Sequence, residues 1–108
     1  MRQLVETFIQ RANAFDVAGA VSLFASDAVI DDVSVGDAFV GHEGVRLYLE
    51  RFFVGYKTFS KVLSVEELTG FHATVRLGFT GDFGHEVGIL TVVANSGGLI
   101  ERIDADLE

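Results

Sequence analysis

Apolar residues recur every three or four positions in the first part of the chain, which is the spacing of one helix face. The first segment with this spacing contains Leu4, Val5, Phe8, Ile9, Ala12 and Phe15. Asp16 is then a suitable N-cap for a short second helix that carries Val17, Ala20, Val21 and Phe24. The spacing returns after Gly41, in Val45, Tyr48, Leu49, Phe52 and Phe53. The pattern therefore predicts three helices.

Strand-like segments surround and follow the third predicted helix. A β-branched segment, 28–33, and a second short predicted strand, 38–40, are separated by a turn at Gly36-Asp37. Beyond Thr58, glycine and Asn turns divide four further predicted strands, at 58–68, 71–80, 85–94 and 99–107. Connections this short favour antiparallel hairpins, because parallel crossovers need a dozen or more residues. We therefore predict an α+β fold with three N-terminal helices packed on a strongly curved, mainly antiparallel sheet.

Composition limits the size and the chemistry of the protein. With 108 residues, of which 49% are hydrophobic, the chain has room for one core, and we expect a single domain over 1–108. It contains no cysteine, which excludes disulfides and thiolate-bound metals. No apolar stretch approaches the roughly 20 residues that span a bilayer, and the first residues lack an apolar signal core. We expect a cytoplasmic protein with no membrane partner.

Charge and motif content narrow the set of partners further. Asp and Glu number 16 against 8 Lys and Arg, so the formal net charge is −8. Nucleic acids and anionic membranes are bound through positive charge, so nucleic acid is not an expected partner. The three histidines lack metal-ligand spacing, and no glycine motif opens a helix directly after a strand. Neither a metal nor an organic cofactor is predicted.

Three segments together resemble a known superfamily. They are FASDAVIDD at 24–32, VGHEGV at 40–45 and GLIERIDA at 98–105. Their order and spacing resemble the nuclear transport factor 2-like superfamily, which includes ketosteroid isomerase, the SnoaL-like polyketide cyclases and limonene-epoxide hydrolase. The resemblance implies a cone-shaped fold, in which a bent sheet wraps a long helix around a deep apolar pocket. It also implies a small hydrophobic ligand and a homodimer formed through the back of the sheet.

Alternation along the strands gives the candidate pocket wall, because successive side chains point to opposite faces of a sheet. The predicted substrate-binding residues are Phe8, Phe24, Ile30, Phe52, Tyr56, Val75, Leu77, Phe79, Leu90, Ile103 and Ala105. The alternative is that the larger of these side chains fill the space and leave a packed core. An open cavity of less than about 300 Å³ would favour that alternative.

Asp32 is the charged side chain predicted to enter the pocket, because Ala28 and Ile30 on the same strand point inwards. The resemblance to ketosteroid isomerase implies at this position the aspartate that moves a proton beside a carbonyl. Desolvation in an apolar pocket favours the protonated form of a carboxyl and so strengthens it as a base. Tyr48 lies on the apolar stripe of the third helix, and its hydroxyl has either Asp32 or a backbone carbonyl as a partner. Asp32 and Tyr48 are the predicted catalytic residues. The alternatives for Asp32 are a solvated strand end and an acceptor of backbone hydrogen bonds at a turn.

The sequence departs from these relatives at their other catalytic positions. The resemblance puts Phe8 where the isomerase has an oxyanion-binding tyrosine and Leu90 where it has a protonated acid. Neither can donate a hydrogen bond, and one lost donor costs about 100- to 1,000-fold in rate. The cyclase-type aspartate falls near Ala105. Two functions stay open: a cofactor-independent isomerase or cyclase-like enzyme acting on a hydrophobic carbonyl compound, and a non-catalytic ligand-binding or dimeric assembly domain.

Overall fold

The computed structural model describes residues 1–108. Its helices are α1 (Arg2–Asn13), α2 (Val17–Val21) and α3 (Gly41–Leu49), and α3 continues as a π-helical turn, Glu50–Val54. Its strands are β1 (Phe24–Asp32), β2 (Asp37–Val40), β3 (Phe59–Thr69), β4 (His72–Gly81), β5 (Gly84–Ala94) and β6 (Ile100–Leu107). The predicted α+β fold is confirmed, with all predicted elements in the predicted order. None of the helices has both the length and the apolar character needed to cross a bilayer.

All six strands form one sheet, in the order β2-β1-β6-β5-β4-β3. Hairpins make the β3-β4-β5-β6 neighbours antiparallel, as the short connections predict. The pair β1 and β6 is parallel and joins the β1–β2 pair to the antiparallel strands β3 to β6. Register shifts interrupt β1, β3 and β5, and irregularities of this kind bend a strand and increase its twist. The sheet is therefore curved and mainly antiparallel.

The core lies between the inner face of this sheet and the helices. Asp16 caps α2 as predicted, since its Oδ1 accepts a 2.9 Å hydrogen bond from the Gly19 N–H. Phe8 of α1 meets Phe24 of β1 edge to face, with ring centroids 5.4 Å apart. One continuous cluster of 22 buried hydrophobic residues connects the three helices to β1, β4, β5 and β6.

The opposite face of the sheet carries several charged side chains. Arg102 of β6 contacts Asp104 at 2.9 Å and Asp31 of β1 at 3.2 Å. Arg76 of β4 pairs with Glu108 at 2.6 Å. All these side chains are substantially exposed, so each pair contributes little to the free energy of unfolding.

Candidate functional site

An open cavity of about 350 Å³ lies between α3 with its π-helical turn, the end of β1 and the β4–β5 hairpin. It is lined mainly by hydrophobic side chains, and its residues are Asp32, Ser34, Val35, Tyr48, Phe52, Phe53, Tyr56, Thr58, Phe79, Phe83, Glu86 and Leu107. Cavities that bind small molecules have volumes of about 300 to 1,000 Å³ and similarly apolar walls with a few polar groups. The size of this cavity is within that range.

Asp32 is the buried acid of the cavity. It ends β1, where Ala28, Ile30 and Asp32 all point inwards, and its side chain is 6% exposed. Its Oδ1 accepts hydrogen bonds from the backbone N–H of Ser34 at 2.9 Å and from Ser34 Oγ at 2.5 Å. The hydroxyl of Tyr48 donates to Oδ2 at 2.6 Å. Three donors thus occupy a carboxylate that has about four lone-pair positions, and one position is left for a ligand.

Tyr48 is held by aromatic neighbours as well as by Asp32. Its ring lies 5.1 Å from that of Phe39 and 5.2 Å from that of Phe52, measured between centroids. Burial, together with the hydrogen bond to Asp32 and the charge of that carboxylate, raises the pKa of Tyr48 far above its ordinary value of 10.0. The hydroxyl therefore keeps its proton in the folded protein and donates a hydrogen bond to Asp32, while its oxygen can still accept a hydrogen bond.

Aromatic rings extend from Tyr48 to the cavity mouth. The centroid of Phe52 lies 6.3 Å from that of Tyr56, which lies 6.0 Å from that of Phe83 at an interplanar angle of 84°. Tyr56 and Phe83 are both about 40% exposed, so they form the rim. Phe79 stands on the hairpin side, 6.3 Å from the ring of Phe53. The wall therefore contains aromatic rings in several orientations between the buried acid and solvent.

The β4–β5 hairpin is fixed to the loop that carries Tyr56. The Asp82 N–H donates a 2.8 Å hydrogen bond to the Tyr56 carbonyl, which places Phe83 against the Tyr56 ring. Gly88 on β5 gives Phe79 its space, because a Cβ at that position would come within 2.7 Å of the Phe79 ring. Gly84 has φ +103°, a conformation that favours glycine at the hairpin turn.

Five of the predicted site residues line the cavity together: Asp32, Tyr48, Phe52, Tyr56 and Phe79. The other eight do not line it and belong to the packed core: Phe8, Phe24, Ile30, Val75, Leu77, Leu90, Ile103 and Ala105. This corrects their expected place on the pocket wall. Alternation identifies inward side chains, but it does not show which of them border open space and which are packed in the core.

The structure also adds cavity residues that the sequence analysis did not select. They are Ser34, Val35, Phe53, Thr58, Phe83, Glu86 and Leu107. Phe83 could have been identified from the sequence. A large aromatic residue in a glycine-bounded turn is not needed to form the turn, so it indicates a contact elsewhere in the fold. No three His, Asp or Glu side chains come together as a set that could hold a metal ion.

Solved structures with the same fold include proteins that bind ligands and an enzyme. The fold is similar to RV0760c from Mycobacterium tuberculosis, solved in complex with estradiol-17beta-hemisuccinate (TM-score 0.84, 18% identity, 94% of this chain and 88% of that chain covered). It is also similar to the epoxide hydrolase/cyclase-like enzyme SalBIII, described in pyran ring formation in polyether salinomycin (TM-score 0.85, 18% identity, 99% of this chain and 89% of that chain covered). A third similar structure is that of a computationally designed 17-OHP binder (TM-score 0.84, 17% identity, 94% of this chain and 86% of that chain covered). At these identities the likeness shows the fold alone.

Comparison at the level of sequence gives the family. No curated protein matches the chain. The SnoaL-like domain family matches residues 5–99, which is most of the sequence. The chain is therefore a member of the SnoaL-like domain family, within the nuclear transport factor 2-like fold that its sequence resembles.

Proposed function

We propose that the cavity binds a small, mainly apolar molecule whose polar group meets Asp32 and Tyr48. The observation that carries this proposal is the open volume of about 350 Å³, which ends on a buried, hydrogen-bonded acid. The rest of the wall is mainly hydrophobic and aromatic, so burial of an apolar ligand there is favourable. RV0760c and the designed 17-OHP binder support the proposal as ligand-binding proteins of the same fold.

Intrinsic fluorescence gives a direct test of ligand binding. The chain has no tryptophan and two tyrosines, Tyr48 and Tyr56, and both line the cavity. A panel of apolar ketones, alcohols and amines is titrated against the protein, and a saturable change in tyrosine emission is expected for at least one of them. Because no other fluorophore of this kind exists in the chain, the signal reports on the cavity.

A pair of matched variants locates the binding. Val35→Phe adds bulk to the cavity wall and is expected to weaken the best compound of the panel at least about tenfold. Val33→Phe makes the same change two residues away, at a side chain that is 66% exposed and does not line the cavity. Equal affinity of the two variants, or no saturable signal with any compound, would contradict the proposal.

Proton transfer at the same place is a second candidate function, favoured by the 2.6 Å hydrogen bond between Tyr48 and Asp32. In this isomerase or cyclase-like reaction, Asp32 takes a proton from the carbon beside a carbonyl, and the C–H electron pair forms the enolate. Once Asp32 is protonated and neutral, it is a weaker hydrogen-bond acceptor. The Tyr48 hydroxyl therefore donates its hydrogen bond to the enolate oxygen instead. The proton then returns from Asp32 to a carbon of the product. Every step uses these two side chains and no cofactor.

Separately from the cavity, we propose that the protein forms a homodimer. The outer sheet face carries Thr74, Thr91, Val93 and the exposed charges around Arg102, and back-to-back contact of two copies would cover it. Light scattering at micromolar concentration is expected to give twice the chain mass of 11.7 kDa. A monomer under those conditions would refute the dimer and leave the cavity proposal intact.

A further inference from the structure

The charges on the cavity wall all have the same sign. The wall carries two carboxylates, Asp32 and Glu86, and no Lys, Arg or His. Neither carboxylate forms an ion pair with a basic residue of the chain. Asp32 is buried and Glu86 is exposed at the mouth, so negative charge is present at both ends of the space. An anionic ligand would be repelled along the whole path.

The uncharged part of the wall is also favourable to positive charge. Phe52, Tyr56 and Phe83 present rings at different angles near the mouth, with 39° between the first two and 84° between the last two. Faces of aromatic rings attract cations, and clusters of them recognise quaternary ammonium groups. Phe52 already has the Arg51 guanidinium 5.8 Å from its centroid, and Arg51 itself does not line the cavity.

We infer that the ligand of this cavity is an organic cation: an apolar body with an ammonium group, held by the aromatic rings and by the carboxylates of Asp32 and Glu86. The inference rests on the proposed binding function and adds the charge of the ligand to it. A cation held against the Asp32 carboxylate would occupy the acceptor position that Tyr48 and Ser34 leave free, which proton transfer would also need. The inference therefore favours binding over proton transfer as the role of this pair.

Two probes of equal shape separate charge from size. Benzyltrimethylammonium and neopentylbenzene differ in one atom, a charged nitrogen in place of a carbon. Tyrosine emission is titrated with each probe at the same pH and ionic strength. The cation is expected to bind about tenfold more tightly than the neutral isostere, given the strength of cation–π contacts.

Variants then assign the preference to the cavity. Glu86→Gln is expected to lower the affinity for benzyltrimethylammonium about two- to fivefold and to leave neopentylbenzene unchanged, since Glu86 is exposed and partly screened. Glu101→Gln removes the same charge from an exposed β6 position outside the cavity and should change neither affinity. Both side chains are exposed, so folding is not at risk in either variant.

Three other outcomes would each be decisive. If neopentylbenzene binds as tightly as the cation, the charge inference is wrong and the binding function stands. If Glu86→Gln and Glu101→Gln weaken the cation equally, the preference comes from the net charge of −8 and the inference is again wrong. If neither probe nor any compound of the panel binds, the proposed function fails, and the inference fails with it.

Discussion

Asp32 and Ala105 lie opposite each other in the parallel pairing of β1 with β6, and both face the interior at 6% exposure. The N–H of Val33 donates a 3.0 Å hydrogen bond to the Ala105 carbonyl, which fixes the end of β1 at this point. The resemblance implies a cyclase-type aspartate near Ala105. The two acid positions are therefore neighbours across one strand pair, and this chain has a carboxylate at only one of them.

Ala105→Asp is expected to destabilise the protein in a pH-dependent manner. A second buried acid beside Asp32 is disfavoured in its charged form, so its pKa rises in the folded state above its value in the unfolded chain. Because the introduced carboxyl ionises more easily in the unfolded chain than in the folded protein, the variant loses stability as pH increases from about 4. In urea unfolding, the loss of unfolding free energy caused by Ala105→Asp should be about 2 kcal/mol larger at pH 7 than at pH 4.

The control for this substitution is Ala105→Asn, which has nearly the same size and no charge. Its cost in unfolding free energy should be nearly constant between the two pH values. If Ala105→Asp and Ala105→Asn show parallel pH profiles, the two positions do not interact electrostatically.

Tyr48 is expected to limit stability in alkaline solution. Its pKa is raised in the folded protein above the ordinary value of 10.0, mainly by burial. The stability that it contributes is fully present below about pH 10 and is lost as pH rises above that value. Urea unfolding between pH 8 and about 11 should show a steeper loss for the unaltered protein than for Tyr48→Phe. Tyr56→Phe, altered at an exposed ring, should keep the steep loss.

Asp32→Asn is expected to abolish proton transfer. If the cavity enolises a bound ketone, deuterium exchange beside the carbonyl should fall at least about 100-fold in this variant, because the general base is gone. Asp31→Asn is the matched control, since the neighbouring carboxylate points to the outer face and contacts Arg102. Unchanged exchange in Asp32→Asn would remove Asp32 from the mechanism.

Gly88→Ala is expected to narrow the cavity. The added Cβ would lie 2.7 Å from the Phe79 ring and 3.0 Å from the backbone carbonyl oxygen of Asp106, so the ring must move. We expect a loss of about 1–3 kcal/mol in unfolding free energy and a weaker affinity for the ligand. Gly70→Ala is the control, because nothing lies within 4 Å of a Cβ there. Equal effects of the two substitutions would contradict the packing described for Phe79.

Local patterns in the sequence were sufficient for the elements and for the orientation of Asp32. The helices have strong three- and four-residue periodicity, and Ala28, Ile30 and Asp32 alternate cleanly with outward residues. The position of Tyr48 on the apolar stripe of α3 was enough to bring its hydroxyl into consideration as a partner for Asp32. These features depend on a few neighbouring residues, so periodicity can reveal them.

Features that depend on packing between elements far apart in the sequence could not be predicted from such patterns. Leu90 and Phe79 both point inwards, but Leu90 belongs to the buried core and Phe79 lines the cavity. Periodicity predicts to which face of the sheet a side chain points, but it does not predict what packs against that side chain. In the same way, Glu86 and Phe83 come near Tyr56 through the hairpin contact, which no spacing along the chain encodes.

The parallel pairing of β1 with β6 also determines the order in which the protein can assemble. While the chain emerges from the ribosome, β1 can pair only with β2, and its other edge stays open until β6 has been synthesised. Contacts between such distant segments form slowly, because a long loop must close first. The acid in the cavity can thus be enclosed only after β6 has been synthesised, and a nascent chain that lacks β6 presents no finished binding site.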